Sequence, residues 1–350
     1  MTTTVVAARE GVELDPLADP AWIDLVVRAP AATVFHHPAW LGLLRGTYRY
    51  EITACAVFGD EGRPVAGLPV AEVSSRLTGR RLVALPFSDL CPPLVSDEAA
   101  AWAPGALRRA LGVFQARRGV PLEVRGTGDV LGRARGGERF HHHVLALAPE
   151  VATVERGIAK PQILRGVRRA CREGLTARVA TDRNALEAFY RLHVATRRRL
   201  GVPTQPRRFI LGFEALFGCG LGFVLLVSRG EQPIAAGVFL AFGDTLLYKY
   251  GASDARFLGL RPNNLLFMEA IRWGCAHGMR RLDFGKTHWA QEGLRAFKLA
   301  WGAQEHELRY RYIGGIPGGP RATDMLAPVI RRSPPAVSRA IGELLYRHAG

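Results

Sequence analysis

The sequence of 350 residues contains very little lysine and cysteine. Only four of its 47 basic residues are lysine, so arginine supplies the other 43. The five cysteines are scattered, odd in number and without CxxC spacing, which argues against a disulfide framework or a structural zinc site. No apolar run reaches the ~20 residues that cross a bilayer, and the N-terminus has no basic region typical of a signal peptide. We therefore expect a soluble cytoplasmic protein without a transmembrane segment.

Several catalytic motifs are also missing. There is no Gly-rich phosphate loop with its lysine and no GxSxG elbow, which excludes the enzyme classes that depend on them. The pairs His36–His37 and His141–His143 are not followed by further His, Cys or carboxylate residues at ligand spacing. We expect no metal site and no tightly bound cofactor.

The positive charge is concentrated in the second half of the chain. Residues 1–145 have a net charge of +1, whereas residues 146–350 have a net charge of +15. The segment 156–208 alone has 14 basic and 3 acidic residues, a net charge of +11. This asymmetry favours a basic surface for an anionic partner, and the alternative is a merely solvated arginine face. Arg165, Arg168, Arg169 and Arg172 recur at helical spacing and predict one basic helix face.

Two segments of the chain resemble each other. ACAVFGDEGRPVAGLPVAEV (54–73) and GFVLLVSRGEQPIAAGVFLAFG (222–243) each predict a strand, a short polar turn and a second strand that begins near a proline. A third strand follows each hairpin, at 81–87 and at 245–251. The repetition predicts a duplicated α/β domain with a boundary near residues 145–155.

The second half gives the clearer order of elements. Periodicity and capping residues predict helices at 184–201, 263–278 and 292–302, with Asn263 as the N-cap of the second. Short strands are expected at 280–285 and 306–313. The resulting order is helix, antiparallel strands, helix, strand, helix, strand.

That order is the one used by GNAT acyltransferases, and the chain resembles their Fem-like branch over roughly residues 25–315. The branch contains the Fem peptidoglycan aminoacyltransferases and bacterial "cellulose biosynthesis" acetyltransferase-like proteins. The resemblance rests on the order and spacing of VFHHPAWLGLL (34–44), LPFSDLCPPLVSD (85–97), YGASDARFLGLRPNNLL (250–266), LDFGKT (282–287) and GLRAFKLAWGA (293–303). It implies an α/β (α+β) fold of two tandem GNAT-like domains, each a mixed, largely antiparallel sheet flanked by helices. We expect these domains at residues 1–148 and 149–315, followed by a Gly/Pro-rich linker and a C-terminal helix at 316–350.

The resemblance also implies catalytic residues. Phe297 and Lys298 match a Phe-Lys pair that lies by the reacting centre in the Fem aminoacyltransferases. A lysine ammonium can stabilise the tetrahedral oxyanion of acyl transfer, and the alternative is a solvated helix lysine. Lys286 follows the Asp-Phe-Gly strand end, where donor-binding residues are expected. Asp89, in a loop after a strand, is a candidate to orient or deprotonate the acceptor ammonium, and the alternative is an Asx-type turn before Pro92.

The donor loop departs from the usual GNAT pattern. Coenzyme A-binding members show [Gln/Arg]-x-x-Gly-x-[Gly/Ala] before a helix whose N–H groups hold the pyrophosphate. Arg256 and Gly259 fit the pattern, but Arg261 replaces the small residue and Pro262 removes one N–H donor. The departure favours a donor held by side-chain cations, such as aminoacyl-tRNA, over a coenzyme A thioester. The alternative is an ordinary helix start without a donor.

The expected acceptor site uses arginines near residue 200. The resemblance places the segment TRRRLGVPTQPRRF at the mouth of an acceptor cleft, with Arg199, Arg207, Arg208 and Tyr250 as acceptor-binding residues. Arginines there would suit a phosphate-bearing acceptor. Asp283 is expected to fix a strand end rather than to react. The C-terminal helix is expected to dock on the body, and peripheral membrane contact is the weaker alternative.

The sequence thus predicts an N-acyltransferase that moves an acyl or aminoacyl group onto an amine. The acceptors consistent with the resemblance are a peptidoglycan precursor, an envelope glycan or a small natural product. The partners are an anionic donor, tRNA or a coenzyme A thioester, and an amine acceptor, without a stable DNA complex. The alternative is a non-catalytic RNA- or glycan-binding protein on a duplicated GNAT scaffold.

Overall fold

The computed structural model describes residues 11–75, 79–126, 130, 135–316 and 327–348 of the chain. The N-terminal residues 1–10 and most of the expected Gly/Pro-rich linker, residues 317–326, lie outside the described part. The strands are β1 Val12–Leu14, β2 Glu51–Phe58, β3 Pro64–Ser75, β4 Gly79–Val83, β5 Leu94–Val95, β6 Leu122–Arg125, β7 Arg135–Ala146, β8 Leu175–Ala180, β9 Gly222–Arg229, β10 Gln232–Phe242, β11 Thr245–Ser253, β12 Arg281–His288 and β13 Gln304–Ile313.

The helices connect these strands in both halves of the chain. They are α1 Pro20–Arg28, α2 Pro38–Tyr48, α3 Ala103–Arg118, α4 Val151–Arg156, α5 Gln162–Arg172, α6 Arg183–Leu200, α7 Arg207–Leu211, α8 Phe213–Gly218, α9 Pro262–Ala276, α10 Glu292–Ala300, α11 Ala327–Arg332 and α12 Pro335–Leu345. None of the helices in the described ranges is long and apolar enough to cross a membrane.

The chain forms two compact units. Unit 1 contains residues 1–139, 307–320 and 347–350, and unit 2 contains residues 140–306 and 321–346. Relative to the boundaries expected at 148 and 315, unit 2 also contains most of β7 and unit 1 also contains most of β13. That the chain divides into independent domains at those two positions stays a prediction.

The two units have sheets of the same design. In unit 1 the strand order is β1-β2-β3-β4-β6-β13, and β5 pairs with β3. In unit 2 the order is β8-β9-β10-β11-β12-β7. In each sheet the first four strands pair antiparallel, the fourth and fifth pair parallel, and the last pairs antiparallel. The internal resemblance found in the sequence is therefore a repeat of topology, in which each sheet ends with a strand from the other half of the chain.

Local signals explain where the helices of unit 2 begin and end. α6 begins after Asp182, whose carboxylate accepts a hydrogen bond from the Ala185 N–H, and ends at Gly201 with φ +74°. α9 begins with Pro262 at its first position, and its N-cap is Arg261, not Asn263 as expected. Proline fits this position because the first N–H of a helix has no intrahelical acceptor, so Asn263 is already inside the first turn.

Aromatic side chains fill the core of unit 2. Phe267 of α9 lies at the centre, with ring centres 4.6 Å from Tyr248, 5.2 Å from Phe284 and 5.7 Å from Trp301. Phe267 and Phe284 are buried, and Trp301 has no exposed surface. These contacts fix β12 and α10, the two elements that carry the candidate catalytic residues, against α9.

Candidate active site

The candidate site is built around a bulge in β12. Asp283 pairs with Val144 and Lys286 with His142, so two residues of β12 lie opposite one residue of β7. The second of the two is Gly285, whose φ is +69°. Glycine reaches this left-handed conformation without the steric cost that a Cβ would add. The Asp283 carboxylate accepts a hydrogen bond of 2.7 Å from the Gly285 N–H and so fixes the turn of the backbone inside β12, not at a strand end as expected.

The side chain of Lys298, on α10, forms hydrogen bonds to the main chain of the β12 bulge. Its side chain is 2% exposed, and its ammonium donates to the carbonyl oxygens of Gly285 at 2.9 Å and Lys286 at 3.2 Å. The alternative of a solvated helix lysine is therefore wrong. A buried ammonium is tolerated where oxygen atoms replace its hydration, and the bulge supplies main-chain oxygens for this purpose.

Glu305 at the start of β13 organises the histidines of β7. Its carboxylate accepts two hydrogen bonds from the Arg295 guanidinium, at 2.6 and 2.9 Å. The same carboxylate lies 3.0 Å from Nε2 of His143 and 3.1 Å from Nδ1 of His141. His142 points to the other side of the strand, where its Nε2 lies 2.9 Å from the Asp283 carboxylate. Successive histidines of β7 thus serve two different carboxylates, as the alternation of side chains in a strand requires.

The charged groups of this cluster and the burial of His143 determine the protonation state of its imidazole. The hydrogen bond from Arg295 is the main reason that the pKa of Glu305 is lowered to about 2, so Glu305 is ionised at neutral pH. Burial, and after it the charge of Lys298, lowers the pKa of His143 to about 4. His143 is therefore neutral and donates its Nε2 proton to Glu305, because a carboxylate only accepts. Its Nδ1 is then an acceptor, and it is buried without a hydrogen-bond partner among the described residues.

The other two residues predicted beside Lys298 have different surroundings. Phe297 is half-buried, and its ring centre lies 5.4 Å from that of Phe267, so it belongs to the aromatic core of unit 2. Lys286, expected to bind the donor, lies at the bulge itself. Its ammonium is 4.3 Å from the centre of the Phe140 ring, a cation–π distance. The structure thus brings Lys286 and Lys298 to the same bulge.

The expected donor loop forms an exposed turn before α9. Asp254 caps the 3₁₀ helix Ala255–Leu260, and its carboxylate pairs with the exposed Arg256 guanidinium at 2.7 Å. Gly259 is exposed, and a Cβ added there would meet no atom within 4 Å. Arg261 adopts φ +63°, a left-handed conformation that arginine rarely takes. These residues share one segment, as expected, and leave open space beside the Gly259 backbone.

A cavity of about 610 Å³ in unit 2 is lined both by a residue expected to bind the acceptor and by a residue expected to bind the donor. Its wall includes Arg199 and Arg191 of α6 and Arg256 of the donor loop. The carboxylate of Asp254 also lies in the wall, and its pKa is lowered, mainly by the hydrogen bond from Arg256 and to a smaller extent by the charge of Arg199. Arg199, expected to bind the acceptor, and Arg256, expected to bind the donor, therefore line the same cavity.

The remaining acceptor candidates lie elsewhere in unit 2. The guanidinium of Arg207 pairs with Glu187 of α6, and its backbone N–H lies 3.3 Å from the Glu343 carboxylate of α12. Arg208 is exposed. Tyr250 is packed among aromatic rings, with centres 5.7 Å from His193, 6.1 Å from Phe213 and 6.3 Å from Phe209. The assignment of Arg207, Arg208 and Tyr250 to the acceptor stays a prediction.

Asp89 belongs to unit 1. It follows Leu85 and Phe87, two residues with φ of +59° and +61°, in the loop after β4. Its carbonyl oxygen accepts a hydrogen bond of 3.2 Å from the Tyr310 hydroxyl. The neighbouring carbonyl oxygens of Leu85 and Ser88 accept from Arg125, which holds the loop in place. The assignment of Asp89 to the acceptor stays a prediction.

The comparisons with known proteins agree with this architecture. Residues 159–306 match the family model of the acetyltransferase (GNAT) domain. This part of the chain is therefore similar to GNAT acetyltransferase domains. The match lies in the half of the chain where the resemblance found in the sequence is clearest. No curated protein matches the sequence.

Solved structures with a similar fold cover most of the chain. FemX is 15% identical with a TM-score of 0.67, over 85% of this chain and 96% of its own. L-PGS from Bacillus licheniformis is 14% identical with a TM-score of 0.56, over 90% and 98%. A tandem GNAT protein from the clavulanic acid biosynthesis pathway is 14% identical with a TM-score of 0.53, over 89% and 99%. The predicted α/β fold with two tandem GNAT-like domains, similar to the Fem-like branch, is confirmed.

Sequence reasoning missed part of the site. The histidines of β7 were considered only as metal ligands, and within the described residues no group of three or more His, Cys, Asp or Glu side chains is arranged to hold a metal ion. Glu305 and Arg295 were not singled out. Their signal was weak, because the contact of His143 with Glu305 joins residues 162 positions apart in the sequence.

Proposed function

We propose that this protein transfers an acyl or aminoacyl group from an anionic donor to an amine, with Lys298 as the catalytic cation. The observation that carries the proposal is the buried ammonium of Lys298 on the carbonyl oxygens of the β12 bulge, inside the GNAT domain. Attack of an amine on an ester or thioester produces a tetrahedral intermediate with negative charge on oxygen. A fixed positive charge that is little screened by water stabilises that oxygen more than it stabilises the neutral carbonyl of the donor.

The surroundings of Lys298 support this role. Its charge contributes to the low pKa of His143, so its electric field acts on neighbouring groups inside the protein. An acyl group bound beside the bulge would experience the same field. The cluster of Glu305, Arg295 and His143 holds the adjoining strand in one arrangement, which keeps the charge in place without reorganisation during the reaction.

The donor loop supports aminoacyl-tRNA over acyl-coenzyme A. A pyrophosphate at a helix N-terminus depends on free backbone N–H groups. At the start of α9, Pro262 has no N–H and Arg261 supplies a side-chain cation instead. Side-chain cations suit a larger polyanion that is held by several spaced contacts.

The acceptor is an amine carried by a peptidoglycan precursor, an envelope glycan or a small natural product. An acceptor with a phosphate group would suit the cavity that contains Arg191, Arg199 and Arg256. The similar structures include FemX, L-PGS from Bacillus licheniformis and a tandem GNAT protein from the clavulanic acid biosynthesis pathway. They support transfer chemistry on this fold and leave three classes of acceptor in the proposal.

The test uses two labelled donors side by side. Charged tRNA with a labelled amino acid and labelled acetyl-coenzyme A are each incubated with the protein and a set of amine acceptors, and the products are identified by mass spectrometry. We expect transfer from charged tRNA. Transfer from acetyl-coenzyme A alone would reverse the order of donors. Binding of tRNA or glycan without any transfer would support the non-catalytic alternative.

A further inference from the structure

Helix α5 presents a row of arginines that the proposed reaction does not use. Arg165, Arg168, Arg169 and Arg172 are all exposed, at positions that share one helix face. The opposite face, with Ile163, Val167 and Ala170, is buried in the core of unit 2. We call the four arginines the α5 basic face.

Little negative charge compensates this face. Arg169 lies 3.8 Å from the Glu173 carboxylate. Arg165, Arg168 and Arg172 form no ion pair with any residue in the described ranges. Four like charges within two turns repel one another, so the arrangement favours an anionic partner that spans them.

The α5 basic face lies on a helix that packs against the start of α9. The Asn264 side-chain amide donates to the Ile163 carbonyl oxygen at 3.2 Å. A Cβ added to Gly166 would lie 2.8 Å from the same amide, so the two helices are in close contact there. Asn264 is the third residue of α9, two positions after Pro262 of the donor loop. The row of arginines therefore begins beside the expected donor site.

We propose that the α5 basic face binds the sugar–phosphate backbone of an RNA, and that this RNA is the carrier of the transferred group. The carrier role rests on the proposed function, whereas the binding of RNA by α5 does not. Residues seven positions apart on a helix are separated by about 10 Å along its axis, long enough to contact more than one phosphate. The planar guanidinium binds phosphate oxygens in pairs, which suits arginine rather than lysine for this contact.

A membrane surface fits the α5 basic face less well. Helices that lie on membranes insert an apolar face between the lipids while their basic residues contact the headgroups. In α5 the apolar face is already used, because Ile163 and Val167 are each 6% exposed. An RNA backbone requires only the charged face, which is the face that α5 leaves exposed.

The test measures the salt dependence of RNA binding by the full-length protein. Binding of an uncharged tRNA mixture is followed by fluorescence anisotropy between about 50 and 200 mM salt, the range over which phosphate contacts are lost. The variant carries Arg165→Gln, Arg168→Gln and Arg172→Gln. The matched control carries Arg108→Gln, Arg109→Gln and Arg117→Gln, which replace three exposed arginines of α3 in unit 1. All six positions are on helix surfaces, so both variants are expected to melt like the parent.

We expect the α5 variant to bind RNA more weakly and with a smaller dependence on salt concentration. Each lost phosphate contact lowers the slope of log affinity against log salt by about 0.7 to 0.9, so the α5 variant should lose about 2 to 3 units of slope. Its affinity at physiological salt should fall on the order of tenfold or more, while the control keeps the parent slope. Equal slopes in the α5 variant and the parent, or equal losses in the variant and the control, would overturn the proposal.

Two further measurements separate the remaining explanations. If the α5 variant keeps its tRNA affinity but loses binding to vesicles of anionic phospholipid, the face binds membranes and the proposal is wrong. Transfer from charged tRNA together with an unchanged slope would reject the α5 basic face and leave the proposed function intact. A changed slope without any transfer would retain the RNA surface and reject the carrier role.

Discussion

Lys298 shows at the scale of one residue why lysine is retained in an arginine-rich chain. Its compact ammonium donates to two neighbouring carbonyl oxygens in a space that leaves the side chain 2% exposed. A guanidinium is larger and planar, and it cannot place one nitrogen between two main-chain oxygens of the same turn in the same way. Arginine, in turn, supplies the exposed cations of the donor loop and of the α5 basic face.

Arg261 allows a residue-scale test of the donor loop. Its left-handed φ of +63° costs a residue with a Cβ about 1 to 2 kcal/mol. Arg261→Gly should therefore raise the melting temperature while it weakens the binding of tRNA or of coenzyme A. Thermal unfolding and equilibrium binding measure the two effects separately.

Arg49 provides the control, because it is exposed and adopts φ +59° at the end of α2 in unit 1. Arg49→Gly should give a similar gain in stability without a change in donor binding. If Arg261→Gly bound donors as tightly as the parent, Arg261 would not be a donor-binding residue.

Three buried histidines predict how stability depends on pH. Burial is the main cause that lowers the pKa of His36 and His143 to about 4 and that of His193 to about 3. Below pH 6.5 the unfolded chain therefore binds protons that the folded protein does not bind. The free energy of unfolding should fall as the pH drops from 6.5 towards 4, on the order of 1 kcal/mol per pH unit for each histidine.

Chemical denaturation at pH 7, 6 and 5 measures this slope. His193→Gln should make the slope shallower, because it removes one of the groups that bind protons only in the unfolded chain. A free energy of unfolding that stays constant from pH 7 to pH 5 in the parent would contradict the buried, neutral state of these histidines.

At the scale of elements, the helices and hairpins of unit 2 could be predicted, but the bulge could not. Helices have local signals, such as Asp182 and Gly201 at the two ends of α6, and the sequence contains both. The left-handed φ of Gly285 depends instead on pairing with β7, which lies far away in the sequence. The hydrogen bonds of Lys298 to the bulge depend on this long-range pairing, so the sequence could not predict them, and the catalytic roles of the residues named from the resemblance stay predictions.

The bulge itself predicts a difference between two glycines. Gly285→Ala should cost about 1 to 2 kcal/mol of stability because of its φ of +69°, and it should also lower the rate of transfer by displacing the carbonyl oxygen bound to Lys298. Gly278→Ala, at φ +71° in the exposed turn after α9, should cost a similar amount and leave the rate unchanged. Melting temperatures and turnover rates of the two variants decide the matter. Equal rates in both would show that the bulge does not position the reacting centre.

At the scale of the whole molecule, duplication could be read from the sequence because both hairpins repeat the same pattern of apolar residues, turn and proline. The sequence did not show which part of the chain supplies the last strand of each sheet. Residues 307–313 and 140–146 have the composition of strands, and their own periodicity does not determine which sheet they join. Their boundaries therefore follow from pairing with β6 and β12, which only the structure shows.

The net charge is distributed unevenly between the two halves of the chain. The net charge of +15 lies in residues 146–350, the half that matches the GNAT family model, and the first half is nearly neutral. An excess of this size attracts anionic partners from a distance and makes their association sensitive to salt. Both the donor loop and the α5 basic face lie in that half of the sequence.

The most direct test of the account is the single-turnover rate of transfer from labelled charged tRNA by Lys298→Met. Methionine keeps an apolar chain of similar length but removes the charge, so two carbonyl oxygens lose a donor and stability should fall by about 1 to 3 kcal/mol. Measured well below the melting temperature, the rate should drop on the order of 100- to 1000-fold with acceptor binding little changed, and Lys298→Arg should recover only part of it. A folded Lys298→Met protein that transfers at the parent rate would contradict the central claim.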